Sequence, residues 1–309
     1  MSQFAFVFPG QGSQSVGMLA VLAERFSQVR STFEEASDAI DTDLWSLVTD
    51  GPDDELNRTA ITQPAMLAAD IAVWRIWRQE GGPTPAIMAG HSLGEYAALV
   101  AAGAIEFRDA VGLVARRGML MQSAVKVGAG AMAAILGLDD EVVEALCREV
   151  SEGQVVSAAN YNSPGQIVIA GEASAVERAL HQAKGAGARR AVILPVSVPS
   201  HCGLMKPAAE ALRESLEQIP VTQPGIPVLH NIDVAVHEEA TAIREALIAQ
   251  MYSPVRWAST IRKMVDGGVV KVAECGPGRV LCGLGRRISR EVDWLALEDP
   301  EALLSAVGG

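Results

Sequence analysis

The chain has 309 residues, enough for one large domain or a domain that carries an insertion. Hydrophobic residues make up 49% and charged residues 20%, which excludes intrinsic disorder and permits a substantial core. The net charge of −12, from 25 basic and 37 acidic residues, argues against a nucleic-acid partner but leaves room for a local basic patch.

Short apolar runs alternate with helical patterns, the rhythm of an α/β protein. Residues 4–8 predict a buried strand, stopped by Pro9-Gly10. Residues 62–77 have helical periodicity, and residues 86–89 form a short strand broken by Gly90. A helix over 94–102 is stopped by Gly103, and a further helical stretch covers 109–121. The middle reads as strand 132–136, helix 139–150, strands 155–159 and 166–170, helix 173–186 and strand 191–196. Asn162-Ser163-Pro164-Gly165 is the hairpin turn between its two central strands. That β-α-β-β-α-β order predicts a ferredoxin-like subdomain over 127–197, inserted into a larger α/β domain made of 1–126 and 198–309. Residues 269–273 read as a late strand, followed by the turn Gly276-Pro277-Gly278.

No run of about 18 residues is free of charges and turn formers, so no membrane contact is expected. Met1-Ser2-Gln3-Phe4 has neither the basic start nor the cleavage site of a signal peptide, which points to the cytoplasm. Cys147, Cys202, Cys275 and Cys282 form no C-x-x-C pair, so reduced buried thiols are expected and a metal is not.

The strongest local signal is Gly90-His91-Ser92-Leu93-Gly94, a G-x-S-x-G sequence between a predicted strand and a predicted helix. Small residues at both ends allow the sharp turn that presents a serine hydroxyl at the strand's carboxyl edge. The helix that follows offers free N–H groups for a developing oxyanion. Of the five histidines, His201 is the favoured base, because it follows a predicted strand end and a Pro199-Ser200 break. About a third of the chain follows it, and no aspartate is marked as a third member. An ordinary α/β hydrolase places its histidine last, so an esterase fits poorly.

Two further features admit two readings each. Pro9-Gly10-Gln11-Gly12-Ser13-Gln14 is a near miss to a dinucleotide fingerprint; it is either a tight turn or a loop that brings the Gln11 N–H near Ser92. Arg116-Arg117 is either one solvated and one paired cation, or a pair of which one points inward to a substrate carboxylate.

These motifs occur with Thr62-Gln63-Pro64-Ala65, Glu95-Tyr96, Gly118, Tyr161-Asn162-Ser163-Pro164-Gly165-Gln166, Pro199-Ser200-His201 and Glu274-Cys275-Gly276-Pro277-Gly278 in one order. Together they resemble the malonyl-CoA:acyl carrier protein transacylases of bacterial fatty acid synthesis, from about residue 4 to residue 290. The resemblance implies an α/β-hydrolase-like large domain with the ferredoxin-like insertion. It implies a dyad in which Ser92 attacks the malonyl thioester, His201 takes its proton, and a carbonyl at or near Gln250, within Ala249-Gln250-Met251-Tyr252-Ser253-Pro254, orients His201. Gln11 and Leu93 would supply the oxyanion hole and Arg117 would pair with the malonyl carboxylate. Malonyl-CoA and, transiently, acyl carrier protein are the implied partners of a monomer without a permanently bound cofactor; the coenzyme A thioester is substrate. The alternatives are a serine thioesterase or hydrolase, a malonyl transacylase of malonate decarboxylation or polyketide assembly, and a non-catalytic binding module. Ser200 stands where polyketide relatives often carry an aromatic residue, which favours fatty acid synthesis. An acidic carrier would need a positive patch, and Arg286, Arg287 and Arg290 are preferred over Lys184, Arg189 and Arg190.

Overall fold

The structure is a computed structural model that describes residues 3–196 and 198–308. Ser197, the last residue of the predicted insertion, and residues 1, 2 and 309 of the predicted large domain lie outside the described residues.

Among the described residues nine strands form two sheets: β1 Gln3–Phe8, β2 Ile87–Gly90, β3 Gly130–Leu136, β4 Val156–Ser163, β5 Gln166–Glu172, β6 Arg190–Ile193, β7 Val228–Leu229, β8 Val269–Glu274 and β9 Asp293–Ala296. The five-stranded sheet has the order β7-β2-β1-β8-β9, and every pairing in it is parallel. β1 is covered on both faces, which explains why its sequence is a continuous apolar run. Phe6 and Phe8 point into one hydrophobic cluster with Leu22, Phe33 and Trp77. Ala5 and Val7 point into another with Trp257, Val272 and Trp294. The fold is thus α/β, with helices on both faces of a parallel sheet.

The four-stranded sheet has the order β4-β5-β3-β6, with every pairing antiparallel. Helices Asp140–Val150 and Ala173–Gly185 pack on it through a separate cluster that includes Val143, Leu146, Ile167, Ile169 and Val176. Val255 ties its outer strand to the rest of the molecule: Tyr161 N–H donates to Val255 O at 2.9 Å and Val255 N–H to Ala159 O at 2.9 Å.

Several boundaries differ from the sequence expectation. β4 runs through Asn162 and Ser163, with two register shifts, so the hairpin turn shrinks to Pro164-Gly165. β6 ends at Ile193, because its partner β3 pairs only from Ala133 to Leu136 on that side and the chain then turns toward the cleft described below. The helix predicted from residue 62 starts at Thr59, with Pro64 inside it. The helix holding Arg117 extends over Phe107–Ala124. Among the described residues no helix is long and apolar enough to cross a membrane.

Candidate active site

The site lies at the carboxyl edge of the parallel sheet. β2 ends at Gly90, the chain turns through His91, Ser92 and Leu93, and the helix Gly94–Ala101 begins. Ser92 has φ +52°, a left-handed conformation that costs an L residue about 1–2 kcal/mol. The flanking glycines are required by contact: a Cβ on Gly90 would lie 1.8 Å from Gly94 C, and one on Gly94 would lie 2.0 Å from Phe8 O. The loop after β1 presses on the same turn, since a Cβ on Gly10 would lie 2.4 Å from His91 O and 3.6 Å from Leu93 N. That approach places the Gln11 and Leu93 loops side by side. Among the described residues, neither the Gln11 nor the Leu93 N–H has an acceptor within the protein.

His201 is buried and stands 2.7 Å, Nε2 to Oγ, from Ser92. Its Nδ1 is 2.7 Å from the backbone carbonyl of Gln250. A carbonyl only accepts, so Nδ1 carries the proton and Nε2 accepts from the Ser92 hydroxyl. Gln250 ends the helix Ala240–Gln250, and the last carbonyls of a helix lack intrahelical donors and sit at its negative end. A helix-end carbonyl therefore stands where an aspartate stands in a triad. Burial and the nearby Arg117 cation push the imidazole pKa down to about 3, so the ring is neutral and ready to accept a proton.

Arg117 and Arg116 take opposite directions from one helix. Arg116 is exposed; Arg117 is 1% exposed and reaches the cleft. Its Nη1 donates to Gln63 Oε1 at 2.7 Å, and its Nη2 donates to Gln250 Oε1 at 3.0 Å and Ser92 Oγ at 3.4 Å. The Tyr96 ring lies 5.4 Å from its Cζ. All its hydrogen-bond acceptors are neutral, so the cation beside the Ser92 hydroxyl is bonded to no carboxylate and can receive an anionic ligand. Burial lowers the pKa of Arg117, which stays a cation, and raises that of Tyr96 to about 12.

The other histidines do not reach Ser92. His91 donates from Nε2 to Asn162 Oδ1 at 2.9 Å, and His230 donates from Nδ1 to Glu95 Oε1 at 2.8 Å. His237 pairs with Asp233, and His181 is exposed. The cleft, counted together with the open space at its mouth, spans about 610 Å³. Gln11, Ser92, Arg117 and His201 form one side; Met132 and Asn160 of the small sheet, with Leu194 and Val196, form the other. Arg286, Arg287, Arg290, Arg189 and Arg190 are all exposed, and Arg287 bridges to Gln166 of the small sheet.

A model of the acyl transferase domain matches residues 5–293. The chain belongs to the acyl transferase family. It is 55% identical to the malonyl CoA-acyl carrier protein transacylase of Escherichia coli K12, over 99% of each chain. The malonyl CoA-acyl carrier protein transacylase structure from Coxiella burnetii superposes with a TM-score of 0.98 at 51% identity, covering 99% of this chain and 97% of that one. A malonyl-transacylase solved in complex with a type II PKS acyl-carrier protein also superposes at 0.98, with 55% identity and 99% of each chain covered. The family likeness carried by the seven motifs thus extends over the full length.

Sequence reasoning left out the residues that support Ser92, His201 and Arg117 in this cleft. Gln63 and Glu95 stand in recognisable motifs, yet nothing there ties Gln63 to Arg117 or Glu95 to Gln250 Nε2 at 3.0 Å. Asn231, which accepts from the Ser92 N–H at 2.8 Å, carried no sequence signal at all.

Proposed function

We propose that this acyl transferase moves a malonyl group from malonyl-CoA to the phosphopantetheine thiol of an acyl carrier protein, through an ester on Ser92. The observation that carries the reading is a hydroxyl on a neutral base with a buried guanidinium 3.4 Å away. In a malonyl ester a single methylene separates the carbonyl from the free carboxylate, so a carbonyl bonded to Ser92 Oγ leaves its carboxylate beside Arg117. Such a pair is bidentate and charge-assisted.

His201 takes the Ser92 proton as Oγ bonds to the thioester carbon. The N–H groups of Gln11 and Leu93 hold the oxyanion. On collapse the carbon–sulfur bond breaks and His201 returns the proton to the departing thiolate, releasing coenzyme A. In the second half the carrier thiol gives its proton to His201, its sulfur bonds to the ester carbon, and the carbon–oxygen bond breaks. The proton then returns to Ser92. The exchange is ping-pong, requires no resident cofactor, and uses residues of one chain, so a monomer suffices. Four buried free cysteines suit a reducing cytoplasm.

The fold reads as an α/β-hydrolase-like domain, 1–126 and 198–309, with a ferredoxin-like subdomain over 127–197. The parallel five-stranded order, the β4-β5-β3-β6 order and the separate hydrophobic clusters support this division.

We place the reaction in fatty acid synthesis, a reading supported by the full-length likeness to bacterial malonyl CoA-acyl carrier protein transacylases. A second reading, a polyketide carrier, is favoured by the 55% identical transacylase solved with a type II PKS carrier. Intact mass after mixing with malonyl-CoA is expected to show one malonyl adduct, absent from Ser92→Ala. The adduct should be cleared by a carrier protein, faster by the fatty acid carrier than by the polyketide one. An adduct surviving on Ser92→Ala would remove Ser92 from its role, and release of malonate independent of any acceptor thiol would make the protein a hydrolase.

A further inference from the structure

We infer that Asn231 is a positioning residue that clamps the turn carrying Ser92 into its reactive shape; the inference rests on the reading of Ser92 as nucleophile. The parallel ladder between β2 and β7 pairs Met88 with Val228 and Ala89 with Leu229, and goes no further. Past it the Gly90 carbonyl and the Ser92 N–H have no strand partner, at the point where Ser92 adopts φ +52°. Asn231, two residues beyond β7, fills that gap with its side chain. Its Nδ2 donates to Gly90 O at 2.7 Å, and its Oδ1 accepts from Ser92 N–H at 2.8 Å. A carboxamide presents N–H donors and a carbonyl acceptor in a single plane, as a peptide group presents its own, so it continues the ladder around a turn that no strand can follow.

The clamp is itself held from both sides. Asn231 is fully buried; its N–H donates to Glu95 Oε2 at 2.9 Å, and its carbonyl accepts from Arg256 N–H at 3.1 Å. Glu95 lies on the helix that begins at the turn, and its Oε2 also accepts from Gln250 Nε2. The carbonyl of that same Gln250 orients His201. Asn231 therefore links the shape of the nucleophile turn to the support of the base without lining the cleft. It also occupies the Ser92 N–H, so the oxyanion must be received by other amides.

The test measures the nucleophile apart from the malonyl pocket. Phenylmethylsulfonyl fluoride should label the wild type once, at Ser92, by intact mass and peptide mapping. Asn231→Ala should be labelled roughly 10–10²-fold more slowly, the loss that small misplacement of a reacting group causes. Its kcat for malonyl transfer should fall by a similar factor while KM for malonyl-CoA stays within about threefold, because an interaction serving the reaction and not substrate binding is removed. Asn231→Asp keeps an acceptor for the Ser92 N–H and should fall between the two. Wild-type labelling and kcat in Asn231→Ala, or a loss confined to KM, would overturn the inference. If Asn231→Ala fails to fold, Asn231→Asp carries the test: slower labelling at unchanged KM supports the clamp, and a wild-type rate overturns it. A wild-type protein that is unlabelled at Ser92 would sink the nucleophile assignment instead.

Discussion

In the five-stranded sheet every pairing is parallel, so neighbouring strands come from distant stretches of chain: β1 lies between β2 and β8. In the four-stranded sheet every pairing is antiparallel, and all four strands fall between Gly130 and Ile193. A parallel sheet points all its carboxyl ends one way, which gathers Gln11 and Ser92 at one edge, where His201 and Gln250 join them. The antiparallel sheet alternates direction and contributes walls, Met132 and Asn160, with no group that touches Ser92 Oγ. One region is built to collect chemistry from far apart in sequence; the other is a locally folded partition against it.

That division is open to attack at three points. The largest expected effect is at the base: His201→Ala should lose roughly 10²–10⁴ in the rate of Ser92 acylation, read by quenched intact mass. The wild type offers a companion measurement. Burial and Arg117 hold His201 neutral down to about pH 3, so sulfonyl fluoride labelling of the free enzyme should stay flat as pH falls through 6.5. An acid limb centred near 6.5 would mean an imidazole in contact with water, and a cleft less enclosed than the small sheet makes it.

The middle effect is at the cation. Arg117→Ala strands a malonyl carboxylate in a buried site, a penalty on the order of 3–5 kcal/mol, whereas an acetyl group has no charge to strand. The ratio of kcat/KM for malonyl-CoA over acetyl-CoA should therefore collapse. Equal losses for both substrates would make Arg117 a structural residue.

The smallest effect on chemistry should come from the partition. Met132 of β3 is buried and lines the cleft, but touches neither reacting atom. Met132→Ala should cost about 2–5 kcal/mol of stability in urea unfolding, yet change kcat by less than about tenfold. A loss of kcat as deep as that of His201→Ala would erase the distinction between the two regions.

The same contrast governs what was legible in the chain. The small sheet could be read element by element, because its strands and helices are consecutive and each boundary is set by local turn and cap chemistry. Only its edges shifted: β4 runs on through Asn162 and Ser163 because Ser163 still pairs with Gln166 of β5, and β6 stops where β3 ceases to pair with it. In the large region the individual strands 4–8, 86–89 and 269–273 were visible, but periodicity carries no information about sheet order. β7, two residues long, has no pattern to detect.

The site divides along the same line. Gly90-His91-Ser92-Leu93-Gly94 announced a nucleophile turn because a sharp turn demands small residues at fixed spacing, a local steric requirement that any sequence must meet. His201 is favoured by its place after a strand end, and Gln11 and an inward arginine stand as open alternatives; Gln250 and Leu93, and the grouping of all five into one set, come only through family resemblance. Tertiary structure alone decided the geometry: that Arg117 is buried while Arg116 is exposed, that the Gln250 carbonyl stands 2.7 Å from His201 Nδ1 at the end of a helix, and that Asn231 closes the ladder at Ser92. The reason is physical: a turn is specified by the residues within it, whereas a buried polar side chain takes its meaning from whichever partner the fold sets within 3 Å, and that partner comes from another element of the chain.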